Sequence, residues 1–254
     1  MKSMKRMVLG TAALGVAMIA GGAAFAADLN AKSVVLVHGA FADGSSWSAV
    51  TPLLEDAGLD VIAVQNPLES LDGDVAFTNR AIERAEGPVV LVGHSWGGMV
   101  ITEAGMHDKV TSLVYVAAYA PDAGQALGDA AKLDVYPAPG IDALQKDDAG
   151  YFYLPDEAAA TYFAQDLSED QTDFIAASQG LLNSEALGQP VTNVAWQEKP
   201  SFYAIAGEDY MTPTELQREF AAKIGATSRE VDSSHAIMVS NPEFVADLII
   251  EAAK

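Results

Sequence analysis

The chain contains no cysteine in its 254 residues. That absence excludes a thiol nucleophile, disulfide staples, thiolate metal sites and the lipid-acceptor cysteine of a bacterial lipoprotein. Basic residues are also scarce, 14 against 35 acidic ones, for a net charge of −21. Without the three basic residues of the first six positions the balance is 11 against 35, or −24. Nucleic acid and anionic membrane surfaces are repelled by such a chain, so neither is an expected partner. The acidic excess itself reads as a solvated surface that keeps the protein dispersed. No internal repeat or low-complexity tract appears, and four histidines are the whole supply of imidazole.

The N-terminus reads as a targeting device. Lys2, Lys5 and Arg6 precede an apolar run from Met7 to Ala20, and Ala24-Phe25-Ala26 supplies the small residues of a cleavage site. Residues 1–26 are therefore expected to be a cleaved signal peptide, with a mature domain over 27–254 in the periplasm or the medium. An uncleaved anchor is the alternative. Glycines interrupt the apolar run and a soluble-looking strand follows directly, which argues against it.

The remainder alternates apolar β-rich runs with helical patterns, the signature of an α/β fold around a mostly parallel sheet flanked by helices. Strands are expected at 33–37, 61–64, 89–92, 110–118, 202–206 and 229–231, and helices at 46–57, 74–85, from Met99 onward, and at 212–224. Thr212-Pro213-Thr214-Glu215 has the form of a capping box, and Ser240-Asn241-Pro242-Glu243 opens the last helix in the same manner. In that helix Val245, Leu248, Ile249 and Ala252 form one core-facing stripe. Alternation lapses at about 121–199, where prolines, the aromatic cluster Tyr151-Phe152-Tyr153 and helical pieces at 157–165 and 168–182 suggest a strandless helical cap.

Gly93-His94-Ser95-Trp96-Gly97 is the most informative segment. A buried-strand pattern runs into G-x-S-x-G and a helical pattern follows, as in a nucleophile elbow, a sharp turn that exposes a serine hydroxyl. A serine needs a base, and the base needs an orienting group. Among the histidines, His38 ends the first strand, His94 lies inside the elbow and His107 sits in a polar stretch. His235 remains, in a loop after the last strand on the sheet edge that carries Ser95. The acid should leave another strand at that edge. Asp209 in Gly207-Glu208-Asp209 is preferred, with Glu208 and Asp122 as alternatives. Two backbone donors should receive an oxyanion: the amide of Trp96, after the nucleophile, and that of Ala40 in His38-Gly39-Ala40-Phe41. His38 would then support loop geometry. Phe41, Trp96 and Tyr153 are the expected substrate contacts, and Phe152, Tyr151, Tyr162 and Phe163 are further cap aromatics suited to an apolar or aromatic group.

The segments VLVHGAF, VGHSWGG, AGEDYMTP and SSHAIMVSNP, in that order, resemble those of the α/β-hydrolases. Within that superfamily the chain is similar to small bacterial serine esterases related to plant methyl-salicylate-type esterases and hydroxynitrile lyases. The resemblance implies an α/β-hydrolase fold with a cap inserted before the strand carrying the acid, and a triad of Ser95, Asp209 and His235. It also implies oxyanion donors at Ala40 and Trp96, no cofactor and no metal, and a small-molecule ester as substrate. A lactonase would use the same machinery. Lyase members carry a lysine and a threonine where this chain has Ala236 and Gly39, which favours hydrolysis. Haloperoxidase-type members share the triad, whereas haloalkane dehalogenases use an aspartate where this chain has Ser95. A binding module without turnover would not require the catalytic residue types present.

Overall fold

Six strands build the central sheet, the inner four almost continuously apolar: β1 Ser33–Val37, β2 Asp60–Ala63, β3 Val89–His94, β4 Val110–Val116, β8 Ser201–Ala206 and β9 Thr227–Val231. The computed structural model describes residues 29–254, so the expected signal peptide and its cleavage site lie outside the described residues. Every pairing in the sheet is parallel and the order is β2-β1-β3-β4-β8-β9. Successive side chains of a strand point to opposite faces, so each inner strand must satisfy two cores. Val35, Leu91, Leu113 and Tyr203 enter one core, and Val34, Val90, Val114 and Ala204 the other.

Helices cover both faces. On the first lie α2 (Leu71–Arg84), α3 (Gly97–Ala104) and α8 (Thr214–Lys223), which contribute Ile82, Met99, Ile101, Leu216 and Phe220 to that core. On the second lie α1 (Thr51–Asp56) and α10 (Pro242–Ala252), together with the short α9 (Ile237–Ser240) that directly precedes α10. The expected stripe Val245, Leu248, Ile249 and Ala252 is buried there. The chain enters through hydrogen bonds from the Asn30 and Ala31 amides to the Ala253 carbonyl, 2.8 and 3.0 Å.

The chain winds from β1 outward to β2, then crosses back to β3 on the other side of β1. At such a reversal the loops leaving neighbouring strands diverge and open a crevice at the carboxyl edge of the sheet. The loops after β1 and β3 carry Ala40 and Ser95.

The segment between β4 and β8 holds α4 (Leu127–Ala131), α5 (Pro139–Asp142), α6 (Asp156–Ala158) and α7 (Glu169–Ser178). The expectation that it is strandless is incorrect. β5 (Gln145–Lys146), β6 (Tyr151–Tyr153) and β7 (Leu182–Asn183) form a small antiparallel sheet, with strands too short to produce a readable alternation. The expected helix at 157–165 is α6 followed by a wide π-type turn at Ala159–Phe163. The helix expected at 46–57 is also divided, into a 3-10 turn at Gly44–Trp47 and α1.

Neither expected capping box forms. Thr214 donates its hydroxyl to the Ala206 carbonyl (2.7 Å), and Asp209 Oδ1 accepts the amides of Met211 and Thr212 instead. Ser240 ends α9, while Asn241 precedes α10 without a side-chain cap and Pro242 opens it.

Candidate active site

Ser95 follows β3 at the tightest point of the strand-to-helix turn, with φ of 53°. This left-handed conformation is strained for a residue with a Cβ, and such strain persists only where the surroundings enforce it. The turn is possible because its two glycines approach backbone closely. A Cβ on Gly93 would lie 2.5 Å from the Gly97 carbonyl oxygen, and one on Gly97 would lie 2.6 Å from that of Val37. The turn is closed by the Ser95 amide donating to Val116 O (3.2 Å) and the Gly98 amide donating to Ser95 O (2.9 Å).

Asp209 and His235 meet. His235 Nδ1 lies 2.7 Å from Asp209 Oδ2, and both side chains are buried. The proton on this bond belongs to Nδ1, because a carboxylate only accepts, so in the neutral ring Nε2 presents a lone pair. Asp209 is held by three further donors: the amides of Met211 (2.7 Å) and Thr212 (2.9 Å) on Oδ1, and Gln217 Nε2 (2.8 Å) on Oδ2. Gln217 also donates to Thr212 O and accepts from the Ala206 amide, so it is locked on every side.

Neither alternative acid bonds His235. Asp122 pairs with Lys223 (3.2 Å), and the Glu208 loop is tied by its backbone to Ser233 O and Gln165 Nε2.

The elbow and the histidine loop are in direct contact. The His94 and His235 rings lie 4.6 Å apart, and His94 Nε2 donates to His235 O (3.0 Å). Burial, and then the neighbouring His235, hold the His94 imidazole well below its usual range, so it is neutral. The hydrogen bonds of the site do not include one from the Ser95 hydroxyl to His235. Catalytic hydrogen bonds of this kind are often long without substrate and tighten only when it binds.

His38 has the supporting role expected of it. Its Nε2 accepts the Asn66 amide (2.9 Å) and its Nδ1 faces Gly39 O (2.8 Å), which fixes the loop after β1. Burial lowers its pKa, consistent with a neutral Nδ1–H form. In the same loop the Phe41 amide donates to Gly180 O (3.0 Å) and is spent. Among the described residues no acceptor faces the amides of Ala40 or Trp96. Buried backbone donors are rarely left unpaired, and both of these amides are free to receive an acceptor. His107 only accepts the Lys109 amide, away from the site.

A cavity of about 170 Å³ opens over Ser95. Its walls include Ala40, Phe41, Trp96, Leu127, Ile141, Phe152, Leu182 and Met211, and nothing in its lining is charged. Phe41 and Trp96 are thus where the sequence put them. Tyr153 is not. It points its hydroxyl to Gln145 Oε1 (2.6 Å), while Phe152, one residue away on the opposite face of β6, lines the cavity. Tyr151 bonds Glu69, and Tyr162 packs edge-on against Tyr210. Phe163 packs its ring on His235, centroids 4.9 Å apart.

Gln217, Asp166 and Asp74 escaped the sequence reading. Asp166 accepts the Ser234 amide (2.9 Å) and so steadies the histidine loop from the cap. One signal for Gln217 was available: it shares a helical face with Phe220 and Ala221, an apolar stripe where an amide needs partners.

This sheet order, elbow and histidine loop define an α/β hydrolase. The chain matches the model of the alpha/beta hydrolase family over residues 34–248 and belongs to that family. It is 28% identical over 272 aligned positions to the pyrethroid hydrolase of Sphingobium wenxiniae, with 89% of each chain covered. To salicylic acid-binding protein 2 of Nicotiana tabacum it is 26% identical, covering 87% of this chain and 96% of that one. The crystal structure of polyneuridine aldehyde esterase superposes with a TM-score of 0.78 at 22% identity, covering 88% of this chain and 100% of that one, and shows the same fold.

Proposed function

We propose that this chain is a serine hydrolase of small carboxylic esters that works through an acyl-enzyme on Ser95. His235 Nε2 takes the Ser95 proton as Oγ attacks the ester carbonyl, Asp209 stabilises the imidazolium through Nδ1, and the amides of Ala40 and Trp96 receive the oxyanion. His235 then protonates the leaving alcohol. In the second half a water, deprotonated by His235, attacks the acyl carbonyl and releases the acid. Relatives named as esterases, methylesterase 1 of Arabidopsis thaliana among them, and the pyrethroid hydrolase support the reaction class.

The observation that carries the reading is the pair of acceptor-free amides flanking a strained serine, with a buried Asp209–His235 pair against the same elbow. The uncharged cavity favours an apolar or aromatic group on the acyl or alcohol side. A fluorophosphonate probe should label Ser95, and the protein should turn over p-nitrophenyl butyrate. Labelling without turnover of any ester or lactone across a broad panel would refute it. Export with removal of residues 1–26 belongs to the same proposal, and N-terminal sequencing of the secreted protein tests it.

A further inference from the structure

One buried carboxylate has no place in that mechanism. Asp74, in the first turn of α2, is fully inaccessible to solvent. Its Oδ2 accepts the indole Nε1–H of Trp96 at 2.7 Å and its Oδ1 accepts the Leu68 amide at 2.9 Å. No lysine or arginine is among its partners, and the charged residue that acts on it is Glu69, of its own sign. An indole N–H can be satisfied by any carbonyl, so a buried carboxylate is more than satisfaction requires. What it adds is a stronger, shorter bond that holds both donors in one geometry.

Both donors lead to the oxyanion site. Trp96 follows Ser95 and offers one of the two free amides. Leu68 has a φ of 58°, a left-handed conformation that its hydrogen bond to Asp74 helps to enforce. Its side chain packs against Gly180, where even a Cβ would approach Leu68 Cδ1 to 2.6 Å. Gly180 exchanges hydrogen bonds with the loop after β1: its carbonyl accepts the Phe41 amide (3.0 Å) and its amide donates to Ala42 O (3.2 Å). That loop offers the other free amide, Ala40.

We propose that Asp74 is the positioning residue of the oxyanion site, one carboxylate oxygen fixing Trp96 through its indole and the other fixing the Ala40 loop through Leu68 and Gly180. The inference rests on the ester-hydrolase reading above. Asp74 touches no reacting atom and acts only through the two amides. Burial pushes its carboxyl up to about 6, so at pH 7 both oxygens accept.

The test compares Asp74→Asn, Trp96→Phe and the double variant with the wild type on p-nitrophenyl butyrate. Rates are normalised to sites titrated with a fluorophosphonate, so unfolded protein does not count. Asparagine keeps the size but turns an NH2 towards one of the two donors. Oxyanion contacts act in the transition state, whereas the ester is bound by the apolar cavity. In Asp74→Asn, kcat per labelled site should therefore fall roughly 10- to 100-fold, with KM changed less than about 3-fold. Trp96→Phe keeps ring and amide but removes the indole donor, and should lower kcat in the same manner. In the double variant the loss should fall well short of the product of the single losses.

Wild-type kcat in Asp74→Asn overturns the proposal, and so do losses that multiply. If Asp74→Asn yields no folded protein, Trp96→Phe decides: lowered kcat with unchanged KM supports the role, and unchanged kcat overturns it. A wild type that neither labels nor turns over esters refutes the hydrolase reading itself, a different result from any of these.

Discussion

The buried Asp74 carboxyl ties stability to pH in a direction opposite to that of most carboxylates. Its ordinary value of 3.8 is raised to about 6 by burial, against the pull of hydrogen bonds from Trp96 and Leu68. The folded protein therefore holds this proton more tightly than the unfolded chain does. The stability it contributes is fully present below pH 3.8 and is lost as pH rises through 6. At 1.36 kcal/mol per pH unit the window is worth about 3 kcal/mol, of which about 2 kcal/mol falls between pH 4.5 and 7.5. Urea denaturation of the wild type and Asp74→Asn, measured side by side across that range, isolates this group from the other carboxylates. The difference in unfolding free energy should shift towards the variant by about 2 kcal/mol as pH rises from 4.5 to 7.5. This holds whatever constant amount the lost hydrogen bonds subtract at every pH. Parallel curves would show that Asp74 titrates alike in both states, and the reasoning would fail with them.

Three further outcomes are expected. Gln217→Leu leaves the Ala206 amide and Thr212 carbonyl unpaired and removes one donor from Asp209; chemical denaturation should show a loss of about 2–4 kcal/mol, with a lower kcat. Phe152→Ala removes a cavity wall and should raise KM for aromatic esters roughly 5- to 20-fold, whereas Tyr153→Ala should leave it within about 2-fold; steady-state kinetics with one aromatic and one acetyl ester distinguish them. Gly97→Ala sets a methyl 2.6 Å from the Val37 carbonyl oxygen, and should lower the unfolding free energy by at least about 2 kcal/mol and abolish probe labelling of Ser95.

The parts of this molecule that could be read from the chain are those where one physical demand dominates. The inner strands β1, β3, β4 and β8 are buried on both faces, and nothing but a near-continuous apolar run meets that demand. The elbow was legible because its glycines face backbone where any side chain collides. The small cap sheet was not, since strands of two or three residues carry no period to detect. Tyr153 was chosen over Phe152 because a residue's type does not reveal which face of a short strand points inward. The capping box at Thr212 failed because Asp209 takes the Thr212 amide that Glu215 would have accepted, and Asp209 is itself held by His235, 26 residues further on. Asp74 was hidden for a related reason. An aspartate in the first turn of a helix is ordinarily a dipole partner facing water, and only the packing of α2 against the elbow makes it otherwise.

The cap does more than roof the cavity, and this follows from where its hydrogen bonds go. From the end of the π-type turn onward, the Phe163 carbonyl accepts the Ala236 amide (3.1 Å) and Asp166 Oδ2 accepts the Ser234 amide (2.9 Å), one on each side of His235. Between them Gln165 Nε2 donates to the Glu208 carbonyl (2.6 Å), directly before Asp209. Three cap residues within one four-residue stretch thus hold the two loops that carry the expected base and acid. Loops are the least constrained parts of a fold, and a site that depends on two of them needs support at sub-ångström precision. The sheet delivers Ser95 on a rigid turn, whereas Asp209 and His235 sit on loops tied down from above. In this chain the segment that shapes the cavity is therefore also the one that aligns the groups beneath it, so a change in 163–166 should alter the chemistry of every ester alike, while a change in the walls at Phe152 or Leu127 alters only the choice among them.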